Sequence, residues 1–147
     1  MKFLVTIIML FHFATPAETW LTDFEQAKKE AAKSKKLILL SFSGSDWCSP
    51  CMELKREVFN SPEFNALASA NLILINADFP RQKKHKISDE QVKKNESLAA
   101  IYNKKGSFPE TLVLDSDGKV LKEWSGYPED SADEFVKKIK AVVDANH

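Results

Sequence analysis

"LILLSFSGSDWCSPCMELKREVF", Leu37 to Phe59, holds both cysteines of the chain. Its first six residues are a continuous apolar run broken only by Ser41, the signature of a strand buried on both faces. The Cys48-x-x-Cys51 pair follows almost at once. "PCMELKREVF" then reads as a helix. Pro50 sits in its first turn, where a missing N–H costs nothing, and Met52, Leu54, Val58 and Phe59 supply the apolar positions. A strand that empties into a cysteine pair at a helix start is the organising feature of the sequence.

Working outward, Thr22 and Glu25 have capping-box spacing and open an Ala- and Lys-rich helix from about Asp23 to Lys35. Downstream, "SPEFNALASA" is a short helix with Ser61 as cap and Pro62 at its first position. "NLILINADF", Asn71 to Phe79, is a second buried strand. A basic stretch from Arg81 to Lys94 leads into a helix ending near Tyr102. "TLVLD", Thr111 to Asp115, the turn "DSDG" and "KVLKEWS" make a terminal hairpin. Ser131 and Glu134 form another capping box, and Phe135, Ile139 and Val142 stripe the last helix. The order α, β, α, β, α, β, β, α predicts an α/β protein, a three-layer α/β/α sandwich around a central mixed sheet.

The chain has 147 residues, 44% hydrophobic and 29% charged, which suits one globular domain with a real core. Lys plus Arg and Asp plus Glu each number 21, so the charge balance gives no reason to expect a nucleic-acid partner. The first residues differ from the rest. "MKFLVTIIMLFHFATPA" has one lysine, an apolar run from Phe3 to Ala14 that is too short to span a bilayer, and a small-residue end. Residues 1–17 are therefore expected to be a cleaved signal peptide, residues 18–147 the folded domain, and the location periplasmic or otherwise secreted. Cleavage takes away Lys2 and no acid, leaving 20 basic and 21 acidic residues.

Three chemistries compete for the cysteine pair. A structural staple gains most by closing a long loop, and a pair three apart closes almost none. Zinc needs four ligands, and past residue 17 the sequence adds only His85 and the terminal His147. Copper, which is softer, could use Cys48, Cys51, Met52 and His85. The third option is reversible thiol–disulfide exchange. Residues i and i+3 of a helix have Cα atoms about 5 Å apart, inside the disulfide window. The free N–H groups of the helix start favour a thiolate at Cys48. Cys51, a turn further in, is expected to be the more shielded. Cys48 then attacks a substrate disulfide and Cys51 resolves the mixed disulfide.

"DWCSPC" after a buried strand resembles the active site of the thioredoxin-like superfamily, and "SFPETLVLDSDGK", Ser107 to Lys119, resembles that family's later proline-led strand. The likeness covers most of residues 20 to 145. "SGSDWC", "REVF", "DFP" and "SFPE" look most like exported bacterial thiol–disulfide reductases of the DsbH type and the periplasmic C-terminal domain of DsbD. The resemblance implies a monomeric oxidoreductase, with catalytic Cys48 and Cys51 and with Trp47, Pro50, Phe108 and Pro109 facing the substrate. Pro109 matches the family's cis-proline. Beside it, the Phe108 backbone is left free to pair with an extended substrate. Trp47 reads equally as a packed aromatic. No cofactor is implied beyond the Cys48–Cys51 couple. The partners implied are disulfide-containing proteins and a membrane electron donor of the DsbD kind. Oxidase or isomerase, copper-handling and redox-inert binding roles stay open as alternatives. One departure stands out. Many relatives carry a buried acid six residues before the first cysteine, and Phe42 occupies that position. Asp46 and Glu53 are the nearest acids in sequence. The Arg81 to Lys94 stretch reads either as a solvated loop or as a docking surface for an acidic partner.

Overall fold

The computed structural model describes residues 19–146. The stretch read as an export signal lies outside them. In chain order the elements are β1 (Trp20–Leu21), α1 (Phe24–Ser34), β2 (Leu37–Ser43), α2 (Ser49–Leu54), α3 (Pro62–Asn71), β3 (Leu72–Asp78), α4 (Asp89–Tyr102), β4 (Glu110–Leu114), β5 (Val120–Ser125) and α5 (Ala132–Ala145). A five-stranded sheet runs in the order β1-β3-β2-β4-β5. β1 and β2 are parallel to β3, β4 runs antiparallel to β2, and β5 is antiparallel to β4. The mixed sheet is sandwiched between α1 and α4 on one face and α2, α3 and α5 on the other.

The two cores explain why β2 reads as an unbroken apolar run. Leu37 and Leu39 pack with Leu54, Phe64, Phe135 and Ile139 on the α2 face. Ile38, Leu40 and Phe42 pack with Ala27, Ala31 and Leu98 on the α1 face. A central strand covered on both sides shows no alternation of apolar and polar residues.

Three local details depart from the sequence reading. The cap of α1 is Asp23, not Thr22: its carboxylate accepts the Gln26 N–H at 2.9 Å, and Lys94 Nζ lies 3.0 Å from the same group. A charged cap one residue later beats a hydroxyl that would start the helix earlier. The helix after the cysteines is not uniform. It passes after Leu54 into one π turn, Lys55–Phe59, closed by Asn60 N–H donating to the Lys55 carbonyl at 2.9 Å. Val58 and Phe59 are both buried in this turn. The two-residue strand β1 escaped the sequence reading altogether; Trp20 pairs in register with Leu74 and packs at a tilt against Phe59, with ring centroids 5.1 Å apart.

Candidate active site

Cys48 is the N-cap of α2, and its sulfur accepts the Cys51 N–H at 3.2 Å. The two are disulfide-bonded, with Cα atoms 5.2 Å apart. The strand-to-helix junction thus supplies a backbone donor to Cys48 Sγ, as the helix-start argument requires. The expected contrast in shielding is absent: Cys48 is 4% exposed and Cys51 5%.

The loop between β2 and α2 is built around Gly44. Both Trp47 N–H and Cys48 N–H donate to its carbonyl, at 3.2 and 2.9 Å. The Trp47 indole lies flat against it: a Cβ at this position would stand 2.3–2.6 Å from ring atoms. The indole N–H donates to the Phe79 carbonyl at 2.7 Å, and the ring meets Phe108 edge-on at 5.4 Å. Trp47 and Phe108, named separately from sequence, are therefore neighbours. Trp47 is both the aromatic beside the site and a packed one.

The Phe108–Pro109 peptide is cis. Pro109 is buried, one residue beyond the Phe42–Glu110 pair that closes the β2–β4 ladder, at the end of β2 from which the cysteine loop departs. Buried Asn103 fixes the approach to it, exchanging hydrogen bonds with the N–H and carbonyl of Ser107 at 2.9 and 2.8 Å. Pro50 lies exposed in the first turn of α2.

The acid position needs correction. Phe42 is fully buried on the α1 face, away from the cysteine helix. Its neighbour Ser41 instead lines a cavity of about 190 Å³ together with Ser43, Asn76, Lys55 and Cys51. The fold brings Asp78 to that side. Ser43 Oγ lies 2.9 Å from Asn76 Oδ1 and 3.1 Å from Asp78 Oδ1, and Asp78 also accepts the Ser45 N–H at 2.9 Å. Asp78 was visible in the sequence as the first residue of "DFP", but nothing local marked it as near the cysteines.

Asp46, one of the two acids nearest the cysteines in sequence, has a buried side chain engaged with the chain after β3. Its side chain is 3% exposed. It accepts the backbone N–H groups of Arg81 and Gln82, both at 2.9 Å, and faces His85 Nδ1 at 3.0 Å. The Arg81 N–H, then that of Gln82 and the His85 ring, hold its carboxyl below the ordinary range. His85, considered as a copper ligand, is thus turned toward Asp46, and Met52 is exposed. Among the described residues no three His, Cys, Asp or Glu side chains converge as a metal site.

Glu110, which follows Pro109, is a second acid that the sequence reading passed over. It is 4% exposed, its Oε2 has no hydrogen-bond partner, and burial pushes its carboxyl above the ordinary value near 4.5. The Ser125 and Ser107 hydroxyls and Lys105 pull it partly back.

A parallel βαβ start, a redox-capable Cys48–Cys51 pair at a helix N-terminus and a proline-led hairpin define a thiol–disulfide site on a thioredoxin fold. Residues 19–116 match the thioredoxin-like family model, and the chain belongs to that family. It is 35% identical over 121 residues, 82% of this chain and 70% of the other, to the disulfide bond reductase DsbH of Chlamydia pneumoniae. A solved DsbH oxidoreductase superposes with a TM-score of 0.82 at 29% identity, over 95% of this chain and 93% of that one. The oxidised C-terminal domain of Neisseria meningitidis DsbD shares the fold at 24% identity and a TM-score of 0.50, over 80% and 88% of the two chains. The chain is a homologue of a disulfide bond reductase and keeps a cysteine pair in position to exchange.

Proposed function

We propose that the protein is an exported thiol–disulfide oxidoreductase that reduces substrate disulfides through Cys48 and Cys51. The observation that carries this is the Cys48 sulfur at the start of α2, receiving the Cys51 N–H and bonded to the Cys51 sulfur. In the reduced protein the same amide and helix terminus favour a Cys48 thiolate. That thiolate attacks one sulfur of a substrate disulfide, forms a mixed disulfide and releases the other sulfur as a thiolate. The Cys51 thiolate then attacks Cys48 Sγ, closes the intramolecular disulfide and releases the second substrate thiolate. Two electrons pass to the substrate, and the two protons lost by the cysteines are taken up by its thiolates. The pair is the redox group. We assign the exit of the Cys51 proton to the cavity beside it, where Ser41, Ser43 and Asn76 supply the polar groups and Ser43 in turn reaches Asp78.

Reduction, rather than oxidation, is the direction supported by the kinship with DsbH and by the intervening residues. Ser49 and Pro50 bring no positive charge to the thiolate, and Pro50 removes one donor. Only the helix start stabilises the anion, so the couple stays at roughly −220 to −270 mV, between glutaredoxin-like and thioredoxin-like poise. Such a reductase in an oxidising compartment needs re-reduction, and a membrane electron donor of the DsbD kind fits that need. We read the protein as periplasmic and monomeric, with residues 1–17 removed on export. Equilibration of the Cys48/Cys51 couple with glutathione buffers tests the direction: a potential near −120 mV, typical of a strong oxidant, overturns it.

A further inference from the structure

A cavity of about 640 Å³ lies apart from the one under Cys51. It opens beside Trp47 and Phe108, the residues that precede Cys48 and Pro109. Its floor is aromatic: Phe108 stands edge-on to both Trp47 and Phe79, at 5.4 and 5.5 Å, and Ile87 and Val92 extend it. Its rim is basic. Arg81, Lys83 and Lys86 all line it. The Arg81 guanidinium lies 3.7 Å over the Trp47 ring, a cation–π contact that anchors it beside the redox loop.

Two facts keep this rim from being an ordinary solvated loop. First, its nearby acids are already engaged. Asp46 is taken up by the Arg81 and Gln82 N–H groups and His85, and Asp78 by Ser43 and Ser45. Asp89 meets Lys86 at 3.3 Å with both side chains more than 70% exposed, a weak surface pair. Among the described residues neither Arg81 nor Lys83 has an acidic partner. Second, the rim is preorganised. Asp46, the residue before Trp47, clamps its backbone, and buried Asn95 donates to the Asp78 carbonyl at 2.7 Å, holding α4 against the end of β3. The backbone of the rim is thus ordered before a ligand arrives, which lowers the entropy cost of binding, while the Lys83 and Lys86 side chains stay exposed.

We propose that this groove is a specificity subsite for disulfide substrates whose reactive cysteine lies beside an aromatic residue and an acidic run. The aromatic side chain enters over Phe79 and Phe108. The carboxylates meet Arg81, Lys83 and Lys86. The segment is thereby steered so that its disulfide arrives at Cys48. Charge complementarity selects the occupant, and continuity with Trp47 ties it to the redox centre. The inference rests on the thiol–disulfide reading above.

The test uses the pre-reduced full domain and two disulfide-linked fluorogenic peptides that share a Phe-Cys core, one flanked by Glu and one by Lys, with neutral hydroxyethyl disulfide as the reference oxidant. The acidic peptide is expected to be reduced at least about tenfold faster than the basic one at low ionic strength, with the gap narrowing as salt is added. Exchanging its Phe for Ser slows it several-fold. A Lys83→Glu/Lys86→Glu double variant reverses the preference while its rate with hydroxyethyl disulfide stays within about twofold of the parent. Equal rates for the two peptides, or a preference for the acidic one that survives the double variant, overturn the subsite and leave the reductase reading intact. Failure to reduce hydroxyethyl disulfide at all overturns the reading itself.

Discussion

Replacing Gly44 with alanine tests how the site is held together. The new methyl would stand 2.3–2.6 Å from Trp47 Cε2, Cζ2 and Nε1, so the ring has to give way by an ångström or so. Three interactions depend on where it lies. The indole N–H bond to the Phe79 carbonyl is 2.7 Å long, and such a bond contributes about 1 kcal/mol net. The edge-on contact with Phe108 at 5.4 Å adds about 0.5–1.5 kcal/mol. The Arg81 guanidinium at 3.7 Å adds about 0.5–1 kcal/mol at a partly exposed site. These terms share one ring and are not independent, so the expected loss is about 2–3 kcal/mol, at the upper end of ordinary single substitutions. Urea denaturation of the oxidised protein measures it. Indole N–H resonances provide a second readout, because Trp47 should shift strongly while Trp20 and Trp124 stay put. A loss below about 0.5 kcal/mol with an unmoved Trp47 resonance would show that the ring does not lie on Gly44 and would refute the reasoning.

Further outcomes follow from the same geometry. Cys51→Ser should accumulate mixed disulfides through Cys48 in a non-reducing gel, and Cys48→Ser should not; trapping that required Cys51 would reverse the roles. Phe42→Asp should fail to fold, because removing a fully buried Phe costs about 3–5 kcal/mol and an unpaired buried charge several more; Ser41→Asp, facing the Cys51 cavity, should stay folded by circular dichroism and speed turnover near neutral pH. Glu110 has its carboxyl raised by burial, so the folded state holds its proton more tightly than the unfolded one. Its contribution is most favourable below the ordinary value near 4.5, declines as pH rises toward the raised folded value, and is flat above it. Glu110→Gln should remove that decline, so its denaturation midpoint relative to the parent should be higher at pH 8 than at pH 4; an unchanged difference would place Glu110 in contact with water.

The α/β order, the hairpin, the caps at Ser61 and Ser131 and the cysteine pair at a helix start were all legible in the sequence, because each depends on residues within a few positions of one another. The family likeness was legible for the same reason: its motifs are short and contiguous. Phe42 shows where that reading stops. β2 is apolar on both faces, so its sequence carries no alternation to say which side each residue takes. Counting back from Cys48 put Phe42 beside the thiols, and only the pairing with Glu110 and Ala77 settles that it faces α1.

By itself the sequence determined the longer elements, though not the two-residue β1 or the π turn after Leu54, and with them the redox pair and the kind of exchange that pair can perform, since backbone propensity and the reach of a CxxC are local matters. The tertiary structure decided what surrounds the pair. Asp46 meets Arg81, Gln82 and His85 across 35 to 39 residues of chain, Ser43 and Ser45 meet Asp78 across 33 to 35, and Trp47 finds Phe79 and Phe108. Those contacts exist because the parallel β2–β3 register sets Ser43 against Asp78 and brings the two following loops to one end of the sheet. Register is a property of paired strands, and no single segment of the sequence carries it.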